Sequence, residues 1–198
     1  MRRHAWLLPA VGALALGVSV LAVARGRDKD DEADKLKAAA AAAPDVQKLA
    51  DAAGDPAALK KEAAVISAKD ELLPIMWSFK PRAKGGLGVG AKGEGIELKL
   101  IGLGKKVLPA NDLTAQGADL KRMAEVTRGI AEVTPSYAGK FTKTPAEAKE
   151  WKGYAEDMKK ASDDLLAAVK ANNGKSIKDV TNHLNASCND CHTKFRDN

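Results

Sequence analysis

From Ile177 to the end of the chain, Ile177, Val180/Thr181, Leu184, Cys188, Cys191 and Phe195 recur at intervals of three and four residues. That period puts them on one stripe of an α-helix, and an apolar stripe must face a core. Both cysteines of the chain lie on it, so the fold has to be built around whatever they hold. Three further stretches share the period. The first, Pro56 to Lys80, carries Leu59, Ala63, Ile66, Leu73 and Trp77, with a kink expected at Pro74, which lacks a backbone donor and crowds the turn before it. The second, Asp112 to Val133, carries Leu120, Met123, Val126, Ile130 and Val133 and is stopped by Pro135. The third opens on Thr144-Pro145 with Glu147 completing a capping box, carries Trp151, Tyr154/Ala155, Met158, Ala161 and Leu165, and ends at Asn173-Gly174. The fourth covers Lys175 to Arg196. Aromatic residues are only 4% of the chain, too few for a β-sandwich core. The pattern predicts an all-α fold, an antiparallel four-helix bundle with a Gly-rich insertion between the first two helices.

Outside the bundle the chain changes character. MRRH is followed by an unbroken apolar run from Ala5 to Ala24, and Ala22-Val23-Ala24 offers the small-x-small pattern of a cleavage site. Residues 1–24 read as a signal peptide or, uncleaved, as a membrane anchor spanning 5–24. Residues 25–55 are charged and then alanine-rich, with no large apolar side chain before Val46 except Leu36, and are expected to form a flexible tether with a short helical turn over Asp45 to Ala53. The folded domain is expected over 56–198. Between its first two helices, residues 81–111 hold Gly88-Val89-Gly90-Ala91-Lys92-Gly93, a literal G-x-G-x-x-G. Dinucleotide binding requires that pattern after a buried strand, and Lys80-Pro81-Arg82-Ala83-Lys84 is no buried strand. The stretch reads as a connector, with Glu97 to Leu108 a short helical or extended piece. The formal charge of +6 is modest and no basic cluster is interleaved with aromatics, so nucleic acid is not an expected partner.

Cys188-x-x-Cys191-His192 carries the chemistry. On a helix, i, i+3 and i+4 share a face, so two thioethers and one imidazole can converge on a single macrocycle, as in covalent haem attachment. Other readings use the same letters. A disulfide would close a two-residue loop and constrain almost nothing. A redox dithiol prefers a helix N-terminus after a strand, whereas this pair lies late in its helix. A zinc site would recruit His183 beside Cys188, Cys191 and His192, with two of the ligands immediate neighbours. Haem c fits best, and an export leader suits it.

A haem motif at the very C-terminus of a four-helix domain, followed by Thr193-Lys194-Phe195-Arg196, resembles the class II c-type cytochromes, the cytochrome c′ family, over roughly 56–198. The resemblance implies one covalently attached haem c, held by Cys188 and Cys191 with His192 as the fifth ligand. It also implies an exported, periplasmic protein that works with redox partner proteins, and it admits a homodimer. Some members leave the sixth position to an apolar residue and bind NO or CO; others place a methionine from the first helix on the iron and transfer electrons. Met123 and Met158 lie in regular apolar stripes and suit the core. Met76, in Leu72-Leu73-Pro74-Ile75-Met76-Trp77, is where the resemblance puts the distal residue, which points to the Met-ligated low-spin type. Trp77 and Phe195 would cover the haem; Arg82, Lys84 and Arg196 are candidate propionate partners. With no acid, base or nucleophile beside the motif, an electron carrier and not an enzyme is expected.

Overall fold

The computed structural model describes residues 18–196. Eight α-helices follow one another: α1 (Val18–Asp51), α2 (Pro56–Lys69), α3 (Leu72–Trp77), α4 (Ile96–Lys105), α5 (Ala110–Val133), α6 (Ala138–Phe141), α7 (Pro145–Lys170) and α8 (Gly174–Phe195). Residues from Leu36 onward form one compact unit, and the preceding residues, helical from Val18, form another. The leader expected at 1–24 begins among residues outside those described. No helix of the described residues is long and apolar enough to cross a membrane.

The Thr144 cap and the helix end at Asn173-Gly174 are those the sequence predicts, and the structure adds caps at Asp55 and Asn173. Asp55 accepts from the N–H groups of Ala57 and Ala58 at 2.9 and 3.2 Å ahead of Pro56. Thr144 and Glu147 form the reciprocal capping box, with Thr144 Oγ1 accepting from Glu147 N–H at 3.1 Å. Asn172 takes a left-handed φ of 52° in the turn between α7 and α8, and Asn173 caps α8 by accepting from Ser176 N–H at 3.0 Å. The antiparallel pairs α5/α7 and α7/α8 are the main framework. The fourth corner is divided, because α4 packs on α8 whereas α2 packs on α5. The architecture is an all-α four-helix bundle.

The first expected helix is two. It breaks at Asp70 and Glu71, both extended, and Pro74 sits in the first turn of α3 instead of kinking a continuous helix. A proline ring crowds the carbonyl four residues earlier, here that of Asp70. Freed from the helix, that carbonyl accepts from Tyr137 O–H at 2.8 Å. The break also resets the apolar phase. Leu59, Ala63 and Ile66 are buried as expected, but Leu72 and Ile75 continue the core and Leu73 is exposed.

The tether expected over 25–55 is helical through Asp51, and its second half is core. Ala39, Ala42, Val46, Leu49, Ala50 and Ala53 are all buried. Their three- and four-residue spacing makes a stripe of small side chains that lets helices approach closely. At Gly129 of α5, a Cβ would lie 2.7 Å from Leu49 Cβ.

The Gly-rich connector is a compact turn with no strand before it. Val89 and Glu94 exchange backbone hydrogen bonds of 2.7 and 3.0 Å. Gly88 has φ 60°, and a Cβ there would meet Gly93 O at 2.6 Å. Beyond it α4 buries Ile96, Leu100 and Leu103. It runs antiparallel to α8: Asn182 Nδ2 donates to Gly104 O at 3.1 Å, and Gly174 abuts Leu108 O.

Candidate functional site

Cys188, Cys191 and His192 sit in the last two turns of α8, which stays helical to Phe195. The spacing therefore has the predicted effect: both sulfurs and the imidazole project from one side of a regular helix. All three are half-buried, and the cysteines pack against the rim of the core. The deeper part of the helix buries Ile177, Thr181, Leu184 and Ser187. The two thiols are not joined to each other. Burial pushes the Cys188 thiol up to about 12, with Cys191 and then Glu97 at the start of α4 acting in the same sense. Burial pushes Cys191 up to about 11. Both are protonated thiols near neutral pH.

Neighbouring helices wall the motif. Met158 of α7 places its sulfur 4.0 Å from Cys188 Sγ. Phe195 meets Trp151 edge-on at 5.1 Å and Tyr154 edge-on at 6.1 Å, and Phe141 stacks on Trp151 at 5.1 Å. Trp151 Nε1 donates to Thr134 O at 2.8 Å, which anchors the cluster to the end of α5. Lys194 pairs with Glu150 at 3.0 Å, so the last turn of α8 is tied to α7 by charge as well as by rings. Arg196 Nη1 lies 3.2 Å from His192 Nδ1. A guanidinium only donates, so Nδ1 accepts in this contact. His183 turns elsewhere, to Asp157 at 3.1 Å. The zinc set that would need it is not assembled, and among the described residues no group of three or more His, Cys, Asp and Glu is gathered to hold a metal ion.

Met76 is half-buried on α3, at the rim of the same core. The helices packed on α8 are α7 and α4, and α3 makes no comparable contact with it. Trp77 Nε1 donates to Lys84 O at 2.6 Å, which ties α3 to the Gly-rich turn. Arg82 packs on Gly93 in that turn. Of the expected covering residues, Phe195 is in the wall of the motif. The sequence pattern assigned Met158, Trp151 and Tyr154 to the core and missed that Met158 meets Cys188 and that the two rings meet Phe195 in the last turn of α8. Their stripe on α7 matches the cysteine stripe on α8 across an antiparallel pair, and that register was the available signal.

The donor set fits covalent haem: two unlinked thiols and an imidazole on one helix face, with a thioether against Cys188 and Phe195 of the same helix held in a ring cluster. A family model described as Cytochrome C' matches residues 113–196. The match takes in α5 through α8 and leaves Met76, the Gly-rich turn and α4 outside it. No match was found among curated proteins or among solved structures.

Proposed function

We propose, from the Cytochrome C' family model that matches residues 113–196, that this chain is an exported electron-transfer cytochrome with covalently attached haem c and with His192 and Met76 as axial ligands. Haem c, when bound, supplies a one-electron iron couple. The observation that carries the reading is the placement of Cys188, Cys191 and His192 on one face of α8 against the core rim. Cys188 and Cys191 would hold the macrocycle by thioethers, and His192 would hold the iron from the α8 side. Met158 against Cys188, and Phe195 with the rings it meets, would add apolar cover at the motif and lower the local dielectric, which favours the reduced state of a His/Met iron. Met76 supplies a soft thioether from the core rim, the ligand type that raises the potential in His/Met cytochromes. No acid or base is needed for such a role, so the chain is proposed to be no enzyme.

One observation favours a second reading, a five-coordinate haem that binds NO or CO. Met76 lies outside the matched residues, and α3 makes no close pairing with α8. Absorption spectra of the ferric and ferrous holoprotein, with and without CO, separate the two. Electron transfer through His/Met iron expects low-spin spectra and little CO uptake. A high-spin ferrous spectrum with ready CO uptake would replace it with the gas binder.

A further inference from the structure

Residues 80–108 hold seven basic and two acidic side chains, a net +5 within a chain of formal charge +6. Both acids are compensated: Glu97 pairs with Lys80 at 2.8 Å and Glu94 with Lys99 at 3.7 Å. Arg82, Lys84, Lys92, Lys105 and Lys106 form no ion pair among the described residues, and they concentrate the molecule's positive field on one segment. Beside them lies a groove of about 590 Å³ between the Gly-rich turn and α4. Its apolar lining comes from Pro81, Leu98, Gly102, Leu103 and Leu108; Lys92 and Lys106 stand at it, and Asp112 is the one lining acid with no ion pair among the described residues. Leu98 is 65% exposed and the neighbouring Ile101 42%, unusual for large aliphatic side chains on a ten-residue helix.

We infer that this groove is the docking surface for an acidic protein, and, resting on the electron-transfer reading, that this protein is the redox partner. An apolar floor with a cationic rim matches a partner whose apolar patch is ringed by carboxylates. The floor supplies area burial, whereas the rim supplies steering and orientation. Concavity favours a protein side chain over a lipid surface, which a convex helix face would suit better. The groove also lies on the helix whose buried side packs along α8, the haem-bearing helix by the reading above.

The test uses ferric holoprotein and flavodoxin, an acidic redox protein, as the probe, with affinity measured by calorimetry at about 10 mM and about 150 mM ionic strength. Lys92→Glu/Lys106→Glu is expected to weaken binding at least about tenfold at low salt, and much less at high salt. Lys60→Glu/Lys61→Glu on α2 makes the same charge change away from the groove and is expected to weaken it less than about threefold. Gly102→Phe adds no charge and has open space around its Cβ, so it fills the groove without disturbing the fold. It is expected to weaken binding with an unchanged Tm. Equal loss in the two lysine pairs, or full affinity in Gly102→Phe, would overturn the inference. So would groove-dependent binding to phosphatidylglycerol/phosphatidylcholine vesicles without binding to flavodoxin. No electron moves in these titrations, so their failure is distinct from failure of the spectroscopic test of His/Met ligation.

Discussion

Met76 and Met158 are the two thioethers on which the sixth-ligand question turns, and the structure gives them different surroundings. Met158 is buried against Cys188, on the helix that walls the attachment motif, where its contact is with a thioether position. Met76 is half-buried at the end of a short helix tied to the Gly-rich turn through Trp77. On the proposed His/Met ligation, Met76→Leu is expected to convert the ferric spectrum from low toward high spin, with CO binding increased at least about tenfold in affinity. Met158→Leu is expected to keep the low-spin spectrum, because it changes packing at Cys188 and not an axial position. The pair of spectra decides the sixth ligand; a high-spin shift in Met158→Leu alone would transfer the role. Cys188 and Cys191 were legible from spacing alone, because i and i+3 on a helix leave little freedom. The distal side was not legible. It depends on how α3 is set against the bundle, and no local pattern encodes that.

At the level of elements, the least legible feature was the C-terminal half of α1. Alanine stripes look featureless to a hydrophobicity pattern, since each side chain buries little area. Their effect is steric, allowing Leu49 and Gly129 to bring two helix backbones together. Gly129→Ala is expected to destabilise the fold by about 1–3 kcal/mol through overpacking, despite alanine's better helix propensity. Leu49→Ala is expected to cost about 2–5 kcal/mol in urea unfolding followed by circular dichroism; no loss would return this segment to the role of a tether. The same helix carries a pH signature. Asp45 is buried, and hydrogen bonds from Lys69, opposed by burial and reinforced by Lys48, hold its carboxyl below the usual 3.8. A lowered carboxylate contributes stability above its unfolded value, and that stability is lost as pH falls through the folded one. Asp70 beside it is raised by burial and acts in the opposite sense, gaining relative stability on protonation. Asp45→Asn is therefore expected to lower Tm at neutral pH and to flatten the fall in Tm below about pH 4. An unchanged acid limb would show that Asp45 does not couple α1 to the bundle.

For the whole molecule, the capping signals and the four apolar stripes were enough to specify the class of fold, because each cap and stripe acts locally. Domain limits depend on long-range burial, and there the structure moves the beginning of the packed unit from Pro56 back to Leu36. Two truncations test this. A chain starting at Leu36, supplied with a leader for haem attachment, keeps every buried residue of the unit and is expected to match the full protein in haem spectrum and Tm. A chain starting at Pro56 loses Val46 and Leu49, both fully buried. At about 1.5–3 kcal/mol for each buried aliphatic side chain, their loss alone removes about 3–6 kcal/mol. That is comparable with the entire stability of many domains. The shorter chain also strips the cover from α5, which pairs with α7, the wall of the cysteines. Its haem is expected to stay attached through the thioethers while its axial environment loosens, with a lower Tm and a mixed-spin spectrum. Equal Tm in the two chains would show that the bundle needs nothing before Pro56.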